Sequence, residues 1–221
     1  MQAEVPPTGP TSPEPTRYVP FVGRPEPDGQ TTDRRVLRGK RNRDAIVQAV
    51  IDLMQEGNLS PSADEIAERA GVARRSIYHH FADLAELHQA VAHQHLDHIV
   101  GLFGPIVTDG TFQHRLTTFV DQRVHVCEQT MPVYRASLLV AHDSDIVADL
   151  LSLGHEYLRA EVLQTFAPEI GGDDFWRLEA VDSAASFEGW VQLRIVRGLD
   201  VERATEVLRR SIRALLTAPD D

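Results

Sequence analysis

The chain has 221 residues, a formal net charge of −11, and 42% hydrophobic and 25% charged residues, an ordinary globular composition at a length that allows two packed units. No apolar run reaches the roughly 18 residues of a membrane helix, and the start, MQAEVPPTGP, lacks the basic and apolar segments of a signal peptide, so a cytoplasmic protein is expected. The single Cys127 excludes an internal disulfide and an all-cysteine metal site, and reads as a small buried residue.

Residues 1–35 hold eight of the thirteen prolines and no periodic apolar pattern, which predicts a disordered tail. Tyr18, Phe21 and Val22 are its only notable apolar groups. The stretch RRVLRGKRNR (34–43) then carries six cations and no anion. Residues 31–82 balance at +2 and residues 83–221 at −11, an asymmetry that predicts a nucleic-acid-binding head on an acidic body. Lys40, Arg41 and Arg43 are the candidate phosphate contacts of this basic arm, which could extend into a minor groove.

Helices follow. RDAIVQAVIDLMQEGN puts Ile46, Val47, Val50, Ile51 and Met54 on one stripe and closes at Gly57-Asn58. SADE offers a capping box between Ser62 and Glu65, starting a short helix that buries Ile66 and Ala67. Gly71 ends it, and a third helix is expected from about Ala73 to His80. Asp83 caps a fourth, running to Gly104-Pro105. Further helices are expected at 111–129, 132–141, 144–167, 173–197 and 200–217, separated by Asp109-Gly110, Met131-Pro132, Pro168 with Gly171-Gly172, and Gly198. No alternating strand pattern appears, so the fold class is all-α: a three-helix head over 36–84 and a larger helical body over 85–221, about nine helices in total.

Wound at 100° per residue, Arg74, Arg75, Tyr78 and His79 fall within an arc of about 140°. Ala73, Ile77 and Phe81 fall on another side, ready to pack on Ile66, Ala67 and Val72. One face is apolar and the other is all hydrogen-bond donors. Behind a capped helix and a glycine turn, this is a helix-turn-helix whose second helix lies in a major groove. Arg74 and Arg75 can each offer a paired donor to guanine or grip a phosphate. Tyr78 and His79 suit phosphates, and Ser62 with the amides at its helix start suits another.

The segment IAERAGVARRSIYHHFADLAEL resembles the DNA-binding signature of the TetR family of transcriptional regulators, through Ile66-Ala67, Ala70-Gly71-Val72, Tyr78, Phe81 and Leu87. The resemblance covers about residues 40 to 90. Farther on, SAASFEGWVQLRIVRGLDVERATEVLRRSIRALL is similar to the final helix pair of one TetR subgroup, with Trp190 and Leu193-Arg194. The resemblance implies a homodimer whose C-terminal domain binds a small effector that releases double-stranded operator DNA. One position departs from the pattern: Leu84 stands where members commonly carry a lysine, and the basic arm could compensate.

Small and apolar residues in the last two segments, among them Ser183, Phe187, Trp190, Ala204, Leu208 and Ile212, predict a four-helix dimer interface. Candidate effector contacts are Phe103, Phe119, Tyr134, Leu138, His142 and Trp176, with Phe112, His125, Met131 and His155 beside them, implying an apolar or aromatic effector with one or two polar groups. His88, His95 and His98 lie near one face of the fourth helix, and a metal-responsive regulator is the alternative they raise; no Cys or in-phase carboxylate completes a site, so exposed polar histidines, no metal and no cofactor are expected. No glycine-rich phosphate loop, Gly-x-Ser-x-Gly elbow or His-Glu-x-x-His pair is present, so an enzyme is not expected.

Overall fold

The computed structural model describes residues 34–171 and 174–218; the proline-rich stretch with Tyr18, Phe21 and Val22 lies outside the described residues. All regular structure among the described residues is helical. The elements are α1 (Arg34–Gln55), α2 (Ala63–Ala70), α3 (Arg74–His80), α4 (Leu84–Leu102), α5 (Phe112–Val140), a 3-10 turn (Ala141–Asp143), α6 (Asp145–Thr165), α7 (Ala167–Ile170), α8 (Phe175–Ala184), α9 (Phe187–Val191) with a π turn (Gln192–Val196), and α10 (Val201–Thr217). No described helix is long and apolar enough to cross a membrane.

The head is a three-helix cluster closed by local chemistry. Ser62 caps α2 by accepting from the Glu65 amide while Glu65 takes the Ser62 amide, and Asn58 donates to the same carboxylate. Gly71, at φ 65°, turns the chain out of α2 in the left-handed region and returns its amide to Ala67 and Glu68, a conformation that penalises any side chain. After α3, Asp83 accepts from the Glu86 amide and Glu86 accepts from the Ala82 amide, which caps the start of α4.

The basic arm is not a separate arm. Residues 34–43 form the first turns of α1, continuous with the apolar stripe that follows. Arginine is a good helix former, and a helix already nucleated by Ile46, Val47 and Val50 extends backward through it at little penalty.

Two cores result. The head core joins Ile46, Val50, Ile66, Ile77 and Phe81 to Leu87 and Val91 of α4 and to Val133 and Ala136 of α5. The body core gathers Leu116, Phe119, Val126, Cys127, Val162, Phe166, Phe187, Trp190, Leu208 and Ile212. The head therefore draws on residues well beyond position 84, the boundary expected from the sequence. Within the body, burial pushes the Cys127 thiol up to about 12, leaving it a small packing group.

Two expected breaks fall elsewhere. Pro132 does not end a helix; it lies inside α5. An interior proline costs about 3 kcal/mol, but burying one valine-sized side chain is worth roughly 1.5–3 kcal/mol, and Val126, Val133 and Ala136 are all buried around it. Conversely, the helix expected over 173–197 divides at Ala185-Ser186. Ser186 caps α9 by accepting from the Gly189 amide, and a Cβ on Gly189 would meet the Ser183 and Ala184 carbonyl oxygens at 3.0 Å. Arg123 seals the junction by donating to the Ala185 carbonyl at 2.6 Å. On the far side of α9, Glu128 of α5 accepts from Trp190 at 2.7 Å and from Arg194 at 2.8 Å, so the C-terminal signature pair clamps α9 to α5.

Candidate functional site

Helix α3 presents a divided surface. Ile77 and Phe81 are each 1% exposed, while Arg74, Arg75, Tyr78 and His79 face outward. Ala73, expected on the apolar side, is instead the exposed residue that precedes the helix as its cap position. Arg74 is paired with Asp64 of α2 at 3.1 Å, both side chains being largely solvent-facing. Arg75 is exposed without any carboxylate within ion-pair distance among the described residues.

The first turns of α1 run beside the end of α3. Gly39 approaches the His80 ring, whose own basicity is lowered by burial and by the neighbouring His79 and Arg43. Lys40 and Arg41 lie on the exposed side of α1. Arg43, expected on a phosphate, points inward instead, its guanidinium 4.7 Å from the centre of the Phe81 ring. It serves as a cation–π strut between α1 and α3. Ser62 also has a protein partner: its hydroxyl donates to Glu65 at 2.6 Å, and the carboxylates of Asp64 and Glu65 already face the positive end of α2. The phosphate cradle expected there is filled by the chain itself.

The body holds a partly open cavity between α4, α5 and α6, with Phe187 of α9 closing one wall. Its volume is about 60 Å³. The walls are aliphatic and aromatic: Leu96 and Ile99 from α4, Phe103 just beyond its end, Val147, Leu151 and Leu158 from α6, and Tyr134 from α5. Phe103 meets Tyr157 edge-on at 4.8 Å, and Tyr134 stacks on Phe187 at 4.7 Å. At the rim the Tyr134 hydroxyl donates to Glu188, and His155 Nε2 lies 3.2 Å from that hydroxyl and 3.4 Å from the carboxylate. The bonds from His155 and Tyr134 pull the Glu188 carboxyl down to about 2, and Glu188 in turn raises His155.

Of the expected effector contacts, Phe103, Tyr134 and His155 line this cavity. The others lie elsewhere. Phe119 is sandwiched in the body core between Phe166 at 5.1 Å and the Arg123 guanidinium at 4.7 Å, and Phe112 meets Phe166 from the other side. Met131 packs on the same core. Leu138 is exposed beside a second groove shared with Leu59 and Arg135. His125 and His142 are exposed, and Trp176 is 80% exposed at the start of α8. A helical stripe of large residues identifies what a helix buries, not which neighbour it meets.

The same limit applies to the expected dimer interface. Phe187, Trp190, Ala204, Leu208 and Ile212 are buried within this one chain, packed on α5 as body core. Only Ser183 of that set is exposed. The outward apolar groups of this region are Phe175, Trp176, Ile195, Val196, Val201 and Val207. His88, His95 and His98 do not converge: His95 is buried, His98 exposed, and among the described residues no group of three His, Cys, Asp or Glu side chains could hold a metal ion.

Residues 46–91 match the family model of bacterial regulatory proteins of the tetR family. A curated relative, the HTH-type transcriptional activator FasR of Mycolicibacterium smegmatis, is 28% identical over 187 residues, spanning 74% of this chain and 85% of that protein. Among solved structures, a transcriptional regulator from Rhodococcus sp. Rha1 superimposes with a TM-score of 0.62 at 14% identity, over 80% of this chain and 95% of that one. A TetR transcription regulator from Haloarcula marismortui gives a TM-score of 0.57 at 16% identity, over 80% and 97%.

Proposed function

We propose that this chain, a transcriptional regulator of the TetR family, binds a palindromic operator as a homodimer and lets go when a small apolar or aromatic effector enters the body cavity. The observation that carries this reading is α3 itself. It is anchored inward by Ile77 and Phe81, and offers Arg74, Arg75, Tyr78 and His79 outward from a turn fixed by Gly71. A helix of seven residues reads too few bases alone. Two copies related by a two-fold axis, with recognition helices about 34–36 Å apart, supply both half-sites. Repulsion between phosphates and the acidic body leaves the head as the face that approaches DNA.

Helix α4 is the lever. Its Leu87 and Val91 sit in the head core, and its Leu96 and Ile99, with Phe103 just past its end, line the cavity. Ligand sites commonly measure about 300–1,000 Å³, so an effector must enlarge a cavity of about 60 Å³, and α4 moves with the wall. A ligand that prefers the displaced arrangement weakens DNA binding by a typical coupling of about 1–3 kcal/mol, and operator DNA weakens the ligand equally. Repression is the sign adopted here; that FasR is an activator supports the opposite sign as a second reading. Operator position relative to the promoter decides between them.

The test is selection of duplexes from a random pool by the full chain, followed by light scattering of the selected complex. Palindromic sites carrying two protein copies are expected. A monomer, or binding without sequence preference at low salt, would overturn the proposal.

A further inference from the structure

We propose that the body cavity takes an uncharged amphiphile, an apolar body bearing one hydroxyl, amide or carbonyl group, whose polar group hydrogen-bonds to His95 Nε2. This rests on the reading of that cavity as the effector site.

The first observation is an orphan. His95 is 5% exposed, and its Nε2 is shielded from solvent with no hydrogen-bond partner. Buried ring nitrogens are nearly always paired in folded proteins, so an unpaired one at a cavity wall marks a bond reserved for something that enters. The surrounding wall is apolar, and leucine or methionine at position 95 would have completed it. The Thr130 backbone carbonyl of α5 lies near enough to favour the charged ring, yet no hydrogen bond reaches Nε2.

The second observation is charge. No Lys, Arg, Asp or Glu lines the cavity among the described residues. An anionic head group would find only His155, already paired with Glu188 at the rim, and would have to break that pair to be buried, a strongly unfavourable arrangement. A cationic one would have to compete for Glu188, whose carboxylate is already held by Tyr134 and His155 at the rim. Burial, reinforced by His98 on the next turn, pushes His95 down to about 4, so the ring meets a ligand as a neutral partner. An uncharged polar group satisfies the ring nitrogen; the aliphatic and aromatic walls accommodate the rest.

The experiment is calorimetric titration of the full chain, free of DNA, with three probes that share one apolar body: 4-butylphenol, butylbenzene and 4-butylbenzoate. The phenol is expected to bind about tenfold more tightly than either of the others. His95→Leu should lower phenol affinity about tenfold, to the level of butylbenzene, and leave butylbenzene within about twofold of the parent. His95→Gln, which keeps a hydrogen-bonding group, should retain most of the phenol's advantage. His95→Leu replaces an unpaired polar atom with an apolar side chain of similar size, so it should melt no lower than the parent, which separates lost binding from lost folding. The inference is overturned if the benzoate matches the phenol, if His95→Leu binds the phenol as the parent does, or if no probe binds. A parallel titration on operator DNA keeps the two readings apart. Phenol that binds through His95 yet leaves the operator bound upholds the ligand class and removes the effector role. Operator release by the benzoate does the reverse.

Discussion

Replacing Arg123 by leucine tests the energetics of the body most directly. The Arg123 and Glu161 side chains are 1% and 3% exposed and meet at 2.7 Å. Arg123 also donates to the carbonyls of Ala185 at 2.6 Å and Leu158 at 3.2 Å. Arg123→Leu leaves the Glu161 carboxylate buried without its cation, which costs about 3–5 kcal/mol. It also removes the donor that closes the junction of α8 and α9. For a chain of this length each kcal/mol moves the midpoint by about 2–4 °C, so the melting temperature should fall by about 6–20 °C. Thermal melting followed by far-UV circular dichroism measures this. Arg123→Leu combined with Glu161→Leu should recover at least half of the loss, because no lone charge then stays buried. A single variant that melts within about 2 °C of the parent, or a double variant whose loss equals the sum of the two singles, would show that the pair does not hold the body together as argued.

Other expectations concern DNA and acid. Arg75→Ala should weaken the selected operator about five- to a hundredfold and blur its preferred base, whereas Arg41→Ala should weaken all duplexes alike and reduce the salt slope by about one; equal effects of both on operator and bulk DNA would remove Arg75 from base reading. Asp64→Asn releases Arg74 from its 3.1 Å pair and takes one negative charge from the DNA-facing side, so affinity at low salt should rise about twofold or more; anisotropy titrations that show weaker binding would mean Asp64 positions Arg74 rather than withholding it. The unfolded chain protonates His95 near pH 6.5 and the folded chain only near 4, so the unfolded state binds more protons across that interval and stability falls as pH drops. About 3 kcal/mol is lost by pH 4, and His95→Leu should flatten that part of the melting-temperature profile. His98 stands beside the ring on α4, and Tyr134 on α5 with His155 and Tyr157 on α6 are the other titratable groups of the cavity wall.

The head was legible in sequence because its determinants are local. The Ser62–Glu65 box, the Gly71 turn and the spacing of Ile77 and Phe81 lie within twenty residues of one another, and each acts on its neighbours. The Arg43–Phe81 contact is illegible in sequence because a cation in a basic run looks solvent-bound until the ring is seen beneath it. Pro132 was misread because burial on both sides outweighs a missing hydrogen bond. Ser186-x-x-Gly189 is a readable start signal for α9, hidden by unbroken apolar spacing across it. The cavity was half visible: Phe103, Tyr134 and His155 were among its candidates, but His95 was weighed only as a metal ligand, since spacing along α4 says nothing of what stands opposite. The last helices show an apolar stripe without showing that its partners are α5 and α8 of the same chain.

Helices α4 and α5 each contribute side chains to both cores, Leu87, Val91, Val133 and Ala136 to one and Ile99, Leu102, Phe119, Val126 and Cys127 to the other. The interior of the head is consequently completed by helices that also build the body. Calorimetry of the whole chain should show a single endotherm, and a fragment cut at position 84 would lose the very residues that roof its centre. Swapping this recognition unit onto another scaffold would require transplanting α4 whole, together with the stretch of α5 that meets it.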